Sequence, residues 1–192
     1  MNNLYLTLVH YPIYDKNGRI VMTSVTNFDL HDLARTARTF GVRRVFILTP
    51  SETQRGMVDY IMEYWRNGKG GAYNPDRHEA FSVLACTASL EETCLTIEND
   101  SGKRPYLVAT SAQLKAGAVS FPKLGAYLRT GDRPVLLAFG TGHGLAQEFL
   151  DQCDAVLDPI EGKTGYNHLP VRAAVAIILD RLTRDFLGAG DV

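Results

Sequence analysis

The residues best placed to do chemistry begin with Gly140-Thr141-Gly142-His143-Gly144, which follow directly on the apolar run Val135-Leu136-Leu137-Ala138-Phe139. A strand that ends in closely spaced glycines leaves backbone N–H and C=O groups uncovered, so a flat ligand can be read by the main chain. A second apolar run, Ala155-Val156-Leu157, breaks into Asp158-Pro159-Ile160-Glu161-Gly162-Lys163-Thr164-Gly165. Tyr166-Asn167-His168-Leu169-Pro170-Val171-Arg172 then opens a helix of small and branched residues. These loops are expected at the carboxyl ends of neighbouring strands, where open α/β sheets bind their ligands. Two better-known nucleotide motifs do not fit. In Gly140-x-Gly142-x-Gly144 the third glycine comes one residue early for G-x-G-x-x-G, and no acidic residue closes a suitable βαβ unit. Gly162-Lys163-Thr164 imitates the end of a P-loop, but Leu157 stands where its first glycine belongs.

A second group lies upstream, in a segment whose apolar positions Leu30, Leu33, Ala34, Ala37 and Phe40 follow the helical period. Asn27 or Asp29 caps that helix and Gly41 ends it. Arg35 and Arg38 share nearly one face, and Asp32 stands one turn before Arg35. A helical arginine is ordinarily a surface ion-pairing group, and an i,i+3 Asp–Arg pair is ordinary too. His143 and His168 flank the glycine-bearing loops, where a histidine most often serves backbone groups.

Three segments carry a family resemblance by their order and spacing: Thr26 through Gly41, Ala138-Phe139-Gly140-Thr141-Gly142-His143-Gly144-Leu145, and Ile160-Glu161-Gly162 through Ala174. Together they resemble the SPOUT superfamily of S-adenosylmethionine-dependent RNA methyltransferases. Within it, the chain is most similar to small bacterial proteins related to the catalytic domain of tRNA guanine-N1 methyltransferase. The likeness covers nearly the whole chain. It implies a carboxyl-terminal trefoil knot whose loops form the cofactor pocket, a homodimer joined through the knot region, and an RNA substrate, tRNA or rRNA. S-adenosyl-L-methionine is the implied cofactor, held by Phe139, Gly140, Thr141, Gly142, Gly144, Leu157, Ile160, Gly162, Tyr166, Asn167, Leu169 and Val171. Leu137, Leu157, Ile160 and Leu169 are the expected apolar walls for its adenine.

The resemblance also assigns the catalytic candidates Arg35, Asp32 and Asn167. Asn27 and Arg35-Thr36-Ala37 match the helix that carries a catalytic arginine in ribose-methylating members. Displacement at a sulfonium methyl needs a nucleophile relieved of its proton and held in line. Arginine at its normal pKa is a poor base, so Arg35 is expected to position a phosphate or stabilise a developing oxyanion. Asp32 orients Arg35 or takes a proton from a base nitrogen. Tyr166-Asn167-His168 departs from the Ser-x-Asn of the ribose methyltransferases and from the loops of the guanine-N1 enzymes. The target, ribose or base, is therefore open. Two rival readings stand beside the enzyme. One is a catalytically silent RNA-binding or ribosome-assembly factor of the same fold. The other, from strand alternation alone, is a flavodoxin-type nucleotide-binding protein.

The elements that must position these residues are legible in outline. A chain of 192 residues, 45% of them hydrophobic, suits one full core, and residues 1–192 are expected to form a single domain. Strands are expected at Leu4–Val9, Val45–Leu48, Ser82–Cys86, Tyr106–Thr110, Val135–Phe139 and Ala155–Leu157. Helices are expected after Ser51 (Met57, Ile61, Tyr64, Trp65), near Leu90–Ile97, at Phe121–Leu128 and at Pro170–Phe186. That alternation predicts an α/β fold, a mostly parallel sheet sandwiched by helices. Residues 11–25, with the turn signal Lys16-Asn17-Gly18-Arg19, form a hairpin or an ordered loop. Residues 66–75, rich in glycine, read as flexible.

Net charge is −1, yet residues 35–77 hold eight Lys/Arg against four acids. By itself that reads as a solvated surface of uneven charge. Cys86, Cys94 and Cys153, odd in number and beside apolar runs, read as reduced, buried thiols, and no ligand spacing predicts a metal. The run Leu4–Val9 is too short for a signal peptide, nothing reaches membrane-spanning length, and the expected compartment is the cytoplasm.

Overall fold

The computed structural model describes residues 3–113, 115–164 and 166–184. In chain order the elements are β1 (Leu4–Val9), β2 (Ile13–Tyr14), β3 (Ile20–Val21), α1 (Asn27–Thr39), β4 (Arg44–Leu48), α2 (Glu52–Arg66), α3 (Lys69–Tyr73) and α4 (Pro75–Phe81). Then follow β5 (Leu84–Thr87), α5 (Leu90–Ser101), β6 (Tyr106–Ala109), α6 (Phe121–Thr130), β7 (Val135–Gly140), α7 (Gln147–Leu150), β8 (Ala155–Val156) and α8 (Val171–Thr183). Six strands form one sheet in the order β5-β4-β1-β7-β6-β8. Every pairing in it is parallel. Residues 11–25 resolve as a hairpin, with Ile13 opposite Val21 and Asp15 accepting from the N–H groups of Asn17 and Arg19 at its turn.

The apolar runs of β1, β4 and β7 follow from burial on both faces. Leu4, Leu6 and Leu8 face a layer that includes Leu30, Leu33, Val58, Phe81, Leu124, Val175 and Leu179. The alternate residues Tyr5 and Val9 face Phe46, Ile97, Leu136 and Phe149 on the other side. Each fully buried aliphatic side chain contributes about 1.5–3 kcal/mol relative to exposure.

Local chemistry explains where α1 begins. Its N-cap is Thr26, one residue before Asn27 and three before Asp29, the two expected caps: the Thr26 hydroxyl accepts from Asp29 N–H, and the Asp29 carboxylate accepts from the Thr26 N–H. Asp29 is thus the reciprocal half of the cap, a pair worth about 1 kcal/mol. Past the C-cap Phe40, Gly41 takes φ +67°, the left-handed turn a glycine tolerates best.

Three expectations change. Residues 66–75 are not an open loop but hold α3 and the start of α4, with Gly70 and Gly71 buried. The short α7 follows the glycine-bearing loop. β7 and β8 are not neighbours, because β6 lies between them. The last helix is described to Thr183, and its expected end at Phe186 lies outside the described residues, as does Gly165.

Candidate functional site

At the carboxyl edge of the sheet, the loop after β7 folds back against the β2–β3 hairpin. Its main-chain groups are largely engaged: Thr141 N–H donates to Val9 O, His143 N–H to Tyr14 O, Gly144 N–H to Thr141 O and Ala146 N–H to Pro12 O. Gly144 O in turn accepts from Tyr14 N–H. The backbone expected to lie uncovered here is therefore covered in large part, by the chain's own hairpin and the end of β1, while the exposed Gly142 N–H donates to no described residue. The glycines serve that contact. A Cβ on Gly142, which has φ +55°, would stand 2.9 Å from Ile13 Cγ2 and 3.1 Å from Tyr14 O. A Cβ on Gly140 would stand 2.8 Å from Leu145 N.

A polar chain braces this loop from beneath. His10 Nδ1 lies 3.0 Å from Thr23 Oγ1, Thr23 Oγ1 lies 2.5 Å from Thr141 Oγ1, and the Thr141 hydroxyl also donates to Val9 O at 3.1 Å. His10 is fully buried, and Nε2 finds no hydrogen-bond partner among the described residues. Burial pushes its pKa down from 6.5 to about 4, against the smaller opposing effects of the Asp29 charge and the Thr23 backbone.

The loop after β8 is more open. Leu157 pairs with Val119, Asp158 N–H donates to Val119 O, and Asn167 Nδ2 donates to Ala112 O at 2.7 Å. The segment after β6 thus reaches this edge through Ala112 and Val119. Thr110-Ser111, Gly117 and Ser120 are its loop signals in the sequence, but nothing local ties them to the ligand edge. The N–H groups of Ile160, Glu161, Gly162, Lys163 and Thr164 donate to no described residue. Tyr166 and Leu169 are 73% and 43% exposed, and Ile160 is half-buried against the core. Uncovered donors beside an apolar surface fit a flat heterocycle such as adenine. Leu137, Phe139 and Leu157, in contrast, are core side chains at 0–2% exposure and present no wall to an open surface. Val171 is half-buried against the same core. His168 packs edge-on to Tyr166, with ring centroids 5.3 Å apart.

Asp32 and Arg35 line a separate open hollow of about 440 Å³, shared with Thr36, Thr39 and Phe40 of α1 and Arg172, Ala173 and Ala176 of α8. The expected Asp32–Arg35 pairing is replaced. Arg172 Nη1 lies 2.7 Å from Asp32 Oδ2, and its Nε lies 3.7 Å from Asp29 Oδ1. Its guanidinium stands 5.6 Å from the Phe28 ring centroid. Arg172 was not singled out in the sequence, although a lone cation in the first turn of an apolar helix opposes the macrodipole and is such a signal. Arg35 is exposed and its side chain makes no ion pair among the described residues. Other cations of the basic region are engaged: Arg38 with Glu79, Arg55 with the Thr49 and Pro50 carbonyls, Arg66 with the Phe81 carbonyl. Asn167 is tethered to Ala112, and no contact joins it to Arg35 or Asp32. An unpaired guanidinium beside a fixed carboxylate–guanidinium pair is suited to hold an anionic oxygen.

Residues 3–184 match the model of a family described as SAM-dependent RNA methyltransferase. The chain is 45% identical over 185 residues to a tRNA (guanine-N(1)-)-methyltransferase of Oleidesulfovibrio alaskensis, which covers 96% of this chain and 43% of that protein. It therefore spans less than half the length of the curated methyltransferases that it matches. An uncharacterized protein of Aquifex aeolicus is 40% identical over 180 residues, covering 94% of this chain and 88% of that one. Among solved structures, the SpoU methyltransferase AviRb of Streptomyces viridochromogenes, in complex with AdoMet, superposes with a TM-score of 0.59 at 16% identity. The match covers 99% of this chain and 60% of AviRb, and it shows a shared fold.

Proposed function

The chain belongs to the family of S-adenosylmethionine-dependent RNA methyltransferases, and from that membership we propose that it transfers a methyl group to a nucleotide of RNA, with tRNA the first substrate to test. The tRNA and the guanine named for its relatives belong to proteins more than twice as long, of which the match covers 43%. The proposal therefore commits to RNA and leaves base or ribose to experiment. The observation that carries it is the open edge after β8: uncovered N–H groups from Ile160 to Thr164 beside Tyr166 and Leu169, in a chain of this family.

In this reading those residues, with the exposed Gly142 N–H of the glycine-bearing loop, hold S-adenosylmethionine, which when bound supplies an electrophilic sulfonium methyl. Arg35 holds a phosphate or the oxygen on which charge develops, since its side chain makes no ion pair among the described residues and keeps its charge at any working pH. Arg172 acts through Asp32: by engaging one carboxylate oxygen it fixes α8 to α1 beside Arg35. Asn167 ties the cofactor loop to the loop after β6. The same reading makes the carboxyl-terminal loops a knot, supported by the Leu157–Val119 and Asn167–Ala112 links between them. It also makes the protein a homodimer. Support for the dimer is the open α1–α8 hollow with small residues Ala173 and Ala176 on its wall, next to the exposed Phe28. No helix among the described residues is long and apolar enough to cross a membrane.

The test is calorimetric titration with S-adenosylmethionine and S-adenosylhomocysteine, alongside labelled-methyl incorporation into bulk RNA from cells lacking the protein. Wild type is expected to bind both and to label RNA. Arg35→Ala is expected to bind the cofactor normally and lose transfer, because a group used only at the reacting centre lowers turnover without weakening ground-state binding. Absence of cofactor binding at millimolar concentration would refute the enzyme, and binding without transfer by wild type would leave a silent RNA-binding factor.

A further inference from the structure

The glycine-rich segment after α2 is a packing device. A Cβ at Gly70 would overlap the Tyr64 ring and meet Trp65 Cε3 at 3.0 Å, and one at Gly71 would overlap the Trp65 carbonyl. Only glycine lets α3 lie this close to the end of α2. The contact holds the two rings edge to face, with centroids 5.2 Å apart. Trp65 also meets the His31 ring edge-on at 5.2 Å, and the Arg77 guanidinium lies 5.5 Å from the Trp65 centroid while bonding His31 Nδ1.

These contacts frame a hollow of about 370 Å³ lined by Asn27 and His31 of α1 and by Tyr60, Ile61, Tyr64 and Trp65 of α2. Tyr60 is 76% exposed, and Tyr64, held against Trp65, is 47% exposed, so both rings offer a face to solvent. Asn27, His31 and Arg35 follow at four-residue steps on α1, so one row of that helix leads from this hollow to the one that Arg35 lines. Arg35, Arg77 and Lys69, the residue before Gly70, supply positive charge, and none of them pairs with a carboxylate among the described residues. Burial, then the Arg77 charge, pull the His31 pKa below its usual value.

We infer that this hollow is a base-binding subsite for RNA, taking an unpaired nucleobase that flanks the reacting nucleotide, an assignment that rests on the RNA-methylating reading above. Unstacked bases are recognised by aromatic rings and guanidinium planes, with amide side chains reading base edges. Tyr60 and Tyr64 supply the stacking surface, Asn27 the edge contact, and Arg35 and Arg77 meet the flanking phosphates. A protein partner is less well matched, because interface cores are depleted of charge. Here cations without a carboxylate partner among the described residues border the aromatics.

Trp65 is the chain's single tryptophan, so the hollow reports on itself. A mixed-sequence single-stranded RNA of about 12 nucleotides is titrated into the full chain while Trp65 emission is followed. Saturable quenching is expected in wild type and in Tyr60→Phe, with affinity lowered roughly 5- to 150-fold in Tyr60→Ala, the range for one lost base stack. S-adenosylmethionine affinity is expected to stay unchanged in both variants. Binding of RNA without a change in Trp65 emission, no binding at all, or equal affinity for Tyr60→Ala would overturn the assignment. So would a Tyr60→Ala protein that sediments as a monomer where wild type is a dimer, since the hollow would then be a subunit contact. Quenching that persists in a wild-type protein unable to bind S-adenosylmethionine would overturn the enzyme and uphold the RNA subsite.

Discussion

Acidification should loosen this protein through His10. The imidazole sits at the end of β1, fully buried, with Nδ1 engaged by Thr23 and Nε2 without a partner among the described residues. Its pKa is lowered from 6.5 to about 4, chiefly by burial. The folded protein therefore keeps His10 neutral in a window where the unfolded chain binds a proton. Stability from this group is fully present above pH 6.5 and is lost as pH falls toward 4. With 1.36 kcal/mol per pKa unit, the shift corresponds to about 3 kcal/mol across the window. The assay is urea unfolding at a series of pH values, followed by Trp65 fluorescence, for wild type and His10→Gln. His31, whose pKa is also lowered, and the carboxylates are common to both proteins and cancel in the difference. Wild type should lose about 3 kcal/mol more than the variant between pH 6.5 and 4. Because Thr23 links His10 to Thr141, amides of the glycine-bearing loop such as His143 should exchange faster in the same window. Parallel pH profiles for the two proteins would refute the assignment of a buried neutral imidazole.

Gly142→Ala should destabilise by about 2–4 kcal/mol, from the left-handed backbone and from overpacking against Ile13 and Tyr14. Unchanged unfolding midpoints would show that the hairpin does not pack on this loop. Arg172→Ala should cost only about 0–1 kcal/mol of stability, because the pair with Asp32 is partly solvent-screened. Its turnover should nevertheless fall with cofactor affinity retained, and Arg172→Lys should restore only part of it, since a single ammonium cannot reproduce the guanidinium fork toward both Asp29 and Asp32. Full turnover in Arg172→Ala would remove it from the reacting region.

The local patterns determined much of this protein without help from the fold. Apolar runs such as Leu4–Val9 and Val135–Phe139, alternating with helical periodicity at Leu30, Leu33 and Ala37, are enough to require a mostly parallel sheet between helices. Gly41 was legible and the α1 start was placed one to three residues late, at Asn27 or Asp29, because capping is decided over one turn of chain. What the tertiary structure alone decided is which polar group meets which. Asp32 chooses Arg172, 140 residues away, over Arg35 one turn along its own helix. The hairpin takes up much of the hydrogen bonding of the glycine-bearing loop, and most of the donors without a described acceptor lie instead after β8. β6 separates β7 from β8. Gly70 and Gly71, read as slack, are where α3 needs to touch Tyr64 and Trp65. Periodicity and capping are properties of neighbouring residues, but a donor, an acceptor or a missing Cβ acquires its meaning from the atoms brought opposite it, and those come from distant parts of the chain.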